Sequence, residues 1–420
     1  MRWMDNLKQS EFFRHVVTLT AGTFLAQLIT VLMTPVLSRL YTPADYAVFA
    51  IFTSLVAQIA VGASLRLEMA LPTVVNDHEA SSLARFGVRI SSWVSLFTLL
   101  GVGLYLILKT GISESWILLL APIGILLTAM MQVLNFFSSR QKSFRLNATS
   151  RMVLSCFTGI VSIVFGFMHA GSNGLVYGFL AGLLAGVLIL LVPLRGSVWP
   201  ARNARTHFPA RFFFDKYRHY MTVNTPHAFV DTLEVSGILL LMNRSFSPTD
   251  IGSYFFAYRI LKLPVALIGA SVFQVFYQRI SAAKVSGESV QPMVRAVIRR
   301  MALIGLPGFA ILMAISPDLF AFAFGEEWRQ SGELAVLMAP WLYFNFIASS
   351  VSSVTFLFNQ QKSAFLITIV DLSVRLSWLF IAGLYFDFKI TVLVMSCFSA
   401  GIMIFATWWY HRISRDHATV

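Results

Sequence analysis

Charge is scarce in this chain. Asp, Glu, Lys and Arg make up 12% of its 420 residues, about half of the roughly 25% typical of soluble domains. That excludes an ordinary soluble enzyme. A disordered chain is excluded too, because 57% of the residues are hydrophobic. Acid is scarcer than base, with 19 Asp and Glu against 32 Lys and Arg, for a net charge of +13. Only two cysteines are present, Cys156 and Cys397. Each lies inside an apolar run without a CxxC partner or a nearby His cluster, so disulfide and thiolate-metal chemistry are not expected. The chain lacks a hydrolase elbow, a phosphate-cradling glycine loop, a dinucleotide fingerprint and a zinc spacing. No cofactor and no metal are expected.

What the chain has instead is length in apolar runs, with 38 Phe among them. A membrane span needs about 20 such residues. Twelve helices are expected, at about 12–37, 46–71, 84–108, 115–138, 147–168, 174–194, 220–243, 250–277, 292–316, 332–357, 363–385 and 389–410. The fold class is an all-α polytopic membrane protein. Little chain is left for a soluble catalytic domain. The first run is too long for a signal-peptide core and ends in no small-residue cleavage site, so it reads as a retained span.

The basic residues support this map. Of the 32, 23 fall on one side of it, from Arg2, Lys8 and Arg14 to Lys362, Arg412 and Arg415. Five fall on the other side: Arg39, Lys109, Arg244, Arg329 and Lys389. By the positive-inside rule both termini are cytoplasmic. The same asymmetry accounts for the net charge without a nucleic-acid partner. Four cations, Arg66, Arg259, Lys262 and Arg375, lie inside spans or near their ends.

The halves repeat. Arg39-Leu-Tyr-Thr-Pro43-Ala-Asp45 follows the first helix and Arg244-Ser-Phe-Ser-Pro248-Thr-Asp250 the seventh, 205 residues apart. In both, Pro then Asp reads as the start of the next helix, with a carboxylate at its positive dipole end. Gln141-Lys142-Ser143 and Gln361-Lys362-Ser363 recur 220 residues apart, before the fifth and eleventh helices. The offsets differ by 15, which fits an insertion in the Pro317–Gly332 loop. Two six-helix lobes are expected, residues 1–195 and 220–420, related by a pseudo-two-fold axis along the membrane normal around a central cavity. Residues 196–219 form a basic cytoplasmic linker carrying Phe212-Phe213-Phe214. It either lies at the headgroup layer or is a solvated connector.

Polar residues inside spans are the functional candidates, because each is expensive in hydrocarbon. In the seventh helix Asn224, His227, Asp231 and Glu234, spaced 3, 4, 3, line one face. They suit proton or cation binding, or a polar seam between helices. In the eighth, Arg259 and Lys262 lie roughly 12–17 Å from the helix start at Ile251. They need anionic partners, either Asp231 and Glu234 or an anionic substrate. The first helix carries Thr20, Thr23, Gln27, Thr30 and Thr34 on one stripe, with Arg14 and His15 at its mouth. Asp371 and Arg375, four apart, are spaced for a salt bridge. Arg66 and Glu68 lie within six residues of Pro72, where they can reach the interface. Gly178, Gly182 and Gly186 form a small-residue face for close helix packing.

The runs Leu19–Gln27, Pro35–Tyr46 and Ser64–Ala70, with Arg140-Gln141-Lys142-Ser143-Phe144 and Gly325-Glu326-Glu327-Trp328, resemble bacterial Wzx-type polysaccharide flippases. The likeness is strongest in the first 75 residues and extends to about residue 365. The superfamily also holds the multidrug MATE exporters and the lipid II flippase. The resemblance implies two six-helix lobes in the bacterial inner membrane and an undecaprenyl-pyrophosphate-linked oligosaccharide moved to the periplasmic leaflet. It implies H+ or Na+ antiport and, as partners, membrane lipids and other membrane proteins of polysaccharide assembly. A cationic cavity for pyrophosphate would draw on Arg259, Lys262, Arg66 and Arg375. Sugar contacts would fall to Gln27, Tyr254, Tyr258, Trp341, Tyr343 and Asn345, and ion coupling to Asn224, His227, Asp231 and Glu234.

Two other classes compete. A drug or cation exporter would prefer net acid with aromatic rings, whereas this chain puts two cations deep in its eighth helix. A membrane-embedded polymerase or glycosyltransferase would need a large outward loop, and the longest expected, Pro317 to Ser331, has about 15 residues.

Overall fold

The computed structural model describes residues 2–108, 116–200 and 208–416, with side chains described except at 2–20, 266–267, 270–271, 274 and 416. The side chains of Arg14, His15 and Thr20 and the residues Lys109, Arg202 and Arg205 lie outside the described set. Among the described residues the chain is helical throughout, without strands. The long helices are α1 (Arg2–Leu40), α2 (Pro43–Ala63), α3 (Asp77–Leu108), α4 (Ala121–Arg140), α5 (Phe144–Phe167) and α6 (Ser172–Val198). They continue as α7 (Thr225–Ser245), α8 (Pro248–Val285), α9 (Gln291–Phe324), α10 (Arg329–Val351), α11 (Gln361–Tyr385) and α12 (Phe388–Asp416). Each of the twelve expected segments falls on one of them. Among the described residues ten are long and apolar enough to cross a membrane, and α7 and α8 are the two outside that set. In α7, His227, Asp231 and Glu234 dilute the apolar content.

Both copies of the repeated motif build a cap. The Thr42 N–H and hydroxyl donate to the Asp45 carboxylate, and the Asp45 N–H donates to the Thr42 hydroxyl at 3.2 Å. At the start of α8 the Ser247 hydroxyl donates to the Asp250 carboxylate at 2.6 Å and accepts from the Asp250 N–H at 3.2 Å. Each cap satisfies amides that a helix start leaves open.

Two expected boundaries are corrected. The second helix stops at Ala63 rather than near residue 71, and Leu67–Thr73 forms a 3₁₀ turn. Between them Leu65 and Arg66 hold left-handed φ of 54° and 56°, a region unfavourable for residues with a Cβ. The expected loop after residue 316 is also absent. Pro317 lies inside α9, which runs to Phe324, and a 3₁₀ turn at Glu326–Trp328 leads into α10.

The chain divides into two compact units. The first comprises residues 1–41 and 48–236, and so includes the linker and most of α7. Here α5 and α6 meet closely, since a Cβ on Gly178 would overlap the Ser162 hydroxyl and one on Gly182 the Thr158 hydroxyl. One core of this unit gathers Leu83, Phe86, Leu134, Phe137 and Leu190, and the linker joins it through Phe213 and Tyr217. Phe213 stacks on Phe86 at 4.9 Å, while Lys216 and Tyr217 both donate to Glu79 at 2.5 Å. The Tyr217 hydroxyl is thereby pushed well above its ordinary value, first by burial and then by the Glu79 carboxylate. The linker segment from residue 208 is therefore docked rather than loose.

The second unit comprises residues 42–47 and 237–420. Its centre is α10, which packs against α8, α9 and α12. Tyr46 meets Phe256 and Trp328 edge-on at 5.3 and 5.0 Å, and Trp328 is fully buried. Gly252 lets α8 approach the Pro43 carbonyl, into which any Cβ would run.

Candidate functional site

In the second unit, α8 carries Tyr254, Tyr258 and Lys262 four residues apart, hence on one face. The Tyr258 ring is parallel to Tyr254 on one side, at 6.3 Å and 9°, and to Trp341 of α10 on the other, at 6.0 Å and 8°. The Lys262 ammonium lies 5.8 Å from the Tyr258 ring and the Arg375 guanidinium of α11 lies 4.9 Å from the Trp341 ring. The result is a row of three rings with a cation on each of two of them. Such contacts contribute about 0.5–1 kcal/mol when exposed and about 2 when desolvated.

The two cations differ in their surroundings. The Arg375 side chain is 3% exposed and ion-paired with Asp371, itself 2% exposed. One carboxylate oxygen of Asp371 and the Trp341 indole nitrogen are buried without a hydrogen-bond partner among the described residues. Arg259 and Lys262 are half-buried. Asp371 is thus committed to Arg375, and among the described residues Lys262 has no carboxylate within ion-pair distance. Asn345, one turn beyond Trp341, directs its amide to the Met403 sulfur at 3.7 Å. The Tyr343 hydroxyl donates to the Ala302 carbonyl at 3.1 Å. The structure therefore brings Tyr258, Lys262 and Arg375 together and leaves Asn345 and Tyr343 out.

The first unit has its own polar groups. The Arg66 guanidinium lies 3.5 Å from the Glu68 carboxylate, which also accepts from the Ser64 hydroxyl. Glu68 is 1% exposed, so its carboxylate is enclosed by the protein. Burial pushes its carboxyl above the ordinary value, opposed by the Ser64 hydrogen bond and by Arg66. On α1, Gln27 keeps a buried side-chain oxygen without a hydrogen-bond partner. One turn before it, Thr23 accepts from Arg151 at 2.8 Å. Arg151 sits half-buried two turns into α5.

Along α7, His227 Nδ1 lies 3.1 Å from the Asp231 carboxylate, and both side chains are about half exposed. Glu234 is half-buried. Asn224 lies just before α7, in a π-helical turn over Tyr220–Asn224, and its amide donates to the Met69 sulfur at 3.8 Å. Gln58, which the sequence reading passed over, clasps α7 to α2. Its amide donates to the Phe229 carbonyl at 3.2 Å and its oxygen accepts from Ser236 at 2.5 Å. The signal was present, since Gln58 is the one side-chain amide in α2. Among the described residues, no group of three or more His, Cys, Asp or Glu is placed to hold a metal.

Solved structures similar to this fold include membrane transporters. The lipid II flippase MurJ in an inward closed conformation aligns with a TM-score of 0.74 at 14% identity, over 94% of this chain and 87% of that one. An inward-facing multidrug resistance MATE family transporter of the MOP superfamily aligns at 0.65 and 14%, over 94% of both chains. A MOP superfamily transporter from Pyrococcus furiosus, described as having a binding pocket of reverse polarity, aligns at 0.61 and 15%, over 95% of both. Comparison with curated protein sequences finds no match. The profile of the family described as "Polysaccharide biosynthesis protein" matches residues 36–333, about seven-tenths of the sequence. On that match, carried by a multi-pass all-helical fold, the chain belongs to the polysaccharide biosynthesis protein family.

Proposed function

We propose that the protein is a flippase that moves an undecaprenyl-pyrophosphate-linked oligosaccharide from the cytoplasmic to the periplasmic leaflet of the bacterial inner membrane. It works by alternating access of two six-helix lobes, with H+ or Na+ moving inward, and it is a transporter rather than an enzyme. The observation that carries this reading is the aromatic row with Lys262 over its middle ring, Tyr258. A pyrophosphate needs cations: Lys262 offers a point charge and Arg259 a fork. Sugar rings need flat apolar faces beside polar groups, which Tyr258 and Trp341 supply. The lipid tail stays in the bilayer.

A carrier of cationic drugs fits less well. Asp371 is bound to Arg375, which leaves the Lys262 charge over the Tyr258 ring. Membrane energetics favour outward movement of an anion by roughly 2.3 kcal/mol per charge per 100 mV, inside negative. An inward proton gains the same. We assign ion coupling to His227, Asp231 and Glu234, whose imidazole and carboxylates can exchange a proton or hold a cation. Arg66 and Gln27 are the first unit's share of substrate contact. The substrate's origin suggests neighbouring membrane proteins of polysaccharide assembly as partners.

The test is export in cells lacking the native gene. Lys262→Ala removes one charge-assisted contact of about 1.5–3 kcal/mol, which corresponds to roughly 10- to 150-fold slower export at normal membrane abundance. Lipid-linked glycan should accumulate in the inner leaflet, and Lys262→Arg should recover part of the rate. Export at the wild-type rate by the alanine variant would refute the site.

A further inference from the structure

One cavity lies apart from these charges. It is a groove of about 700 Å³ between α11 and α12, within the second unit. The α11 wall runs from Lys362 and Ser363 through Leu366 to Val370, and the α12 wall from Trp409 back through Phe405 and Gly401 to Cys397. On both helices the lining positions recur every four residues or so, which is one face of each. Among the described lining residues Lys362 alone is charged. It stands at the end where α11 begins and α12 finishes, the end that the charge distribution assigns to the cytoplasm.

The dimensions match one leaflet. Eight residues of α11 separate Lys362 from Val370, about 12 Å, and twelve of α12 separate Trp409 from Cys397, about 18 Å. Half of a bilayer's hydrocarbon core is about 15 Å. The groove thus starts at headgroup level and ends near the midplane. Its floor is low at Gly401, where a Cβ would meet nothing within 4 Å. Its apolar walls stand open, with Leu366 61% and Phe405 51% exposed. Trp409 at the mouth is the residue type that settles at the headgroup boundary. A second ammonium strengthens the positive end. Lys284 is held just before α11, by the Leu357 carbonyl at 2.8 Å and over the Phe358 ring at 4.9 Å.

We propose that this groove binds one anionic phospholipid of the cytoplasmic leaflet, with its phosphate on Lys362 and an acyl chain laid over Gly401. The complementarity runs along the groove's length: positive and aromatic at the headgroup end, apolar from there to the midplane. A zwitterionic lipid fills the apolar part equally well but leaves the positive end without a net negative partner. The site is independent of the aromatic row, so its failure and that of the export reading are separate results.

Native mass spectrometry of the intact protein, released from membranes in mild detergent, tests the assignment. The wild-type chain should retain one phosphatidylglycerol in preference to phosphatidylethanolamine. Lys362→Gln should lower that preference about fivefold, which corresponds to about 1 kcal/mol for one basic residue at an anionic surface. Gly401→Leu fills the floor without a clash and should remove the bound lipid whatever its headgroup, while the melting curve stays at the wild-type position. Equal retention by all three proteins, or equal affinity for both lipids in the wild type, overturns the proposal. A retained mass equal to a polyprenyl-diphosphate glycan also overturns it, since the groove would then belong to the transport path. Should Gly401→Leu melt early, the headgroup selectivity of Lys362→Gln alone decides.

Discussion

Removing Arg375 should cost more stability than removing both members of its ion pair. The side chains of Arg375 and Asp371 are 3% and 2% exposed. Arg375→Ala leaves a buried carboxylate without its counter-charge, a loss of about 3–5 kcal/mol. Asp371→Ala leaves a buried guanidinium, at a similar cost. Asp371→Leu with Arg375→Met deletes both charges and keeps the volume, which for buried pairs is often neutral or better. The remaining loss is the cation over Trp341, at most about 2 kcal/mol when desolvated. The singles therefore add to about 6–10 kcal/mol and the double costs no more than about 2, a coupling of at least about 4 kcal/mol. Equilibrium unfolding in mixed micelles, read on the three variants and wild type, measures it. If the double is as unstable as either single, the pair is not what supports this region and the reasoning fails. The double should still export poorly, because Arg375 acts through Trp341 and the ring row loses the cation that holds its inner end. That deficit should show in substrate affinity with abundance unchanged, which a purely structural pair would not produce.

Glu68 has its pKa raised by burial, so its contribution to stability is fully present below about 4.5 and is lost as pH rises through the folded value; melting temperature against pH should fall more steeply for wild type than for Glu68→Gln, and parallel curves would contradict the buried acid. Gly182→Leu drives a side chain into the Thr158 hydroxyl and the Leu154 carbonyl, so the α5–α6 contact should fail and membrane abundance drop severalfold, with normal expression as the contrary result. Reporter fusions after Gly171 and Asn243 should read periplasm and those after Lys142 and Lys284 cytoplasm; two reversals would undo the charge-based topology.

The helices and their caps were legible because their causes are local. Apolar length sets a span, and the Thr42–Asp45 and Ser247–Asp250 caps close within three residues. The glycine face of α6 was legible for a similar reason, since a four-residue period leaves little besides packing for small side chains to do. The break after Ala63 was not. Leu65 and Arg66 carry no preference for left-handed φ, and only the surrounding fold places them there. Pro317 misled in the other direction, because its missing N–H is tolerated inside α9. The partner of Arg151 was not legible, because the Thr23 that receives it is 128 residues away in the sequence. The ring row was half legible: Tyr254, Tyr258 and Lys262 share a face by spacing, but nothing local tells that Trp341 stacks on them or that Arg375 backs Trp341.

The repeat separates what the scaffold needs from what the substrate needs. Counted from Gln141 and Gln361, Arg151 and Asp371 occupy the same register, ten residues on. The sequence before them is conserved between the halves as Gln-Lys-Ser, and the helices they lie on, α5 and α11, both start there. The charges at that register are nevertheless of opposite sign, a half-buried Arg151 and a buried Asp371. In α5 the cation is turned to a hydroxyl of α1; in α11 the acid is turned to a cation one turn further along its own helix. Two copies with identical buried charges would present identical sites. Caps and registers can be held in common because they answer only to backbone hydrogen bonding. Buried charges cannot, because each is costly unless matched to one partner, and the partners differ between the halves. The unlike charges thus mark a position at which the two halves, alike in their opening Gln-Lys-Ser, are matched to different partners.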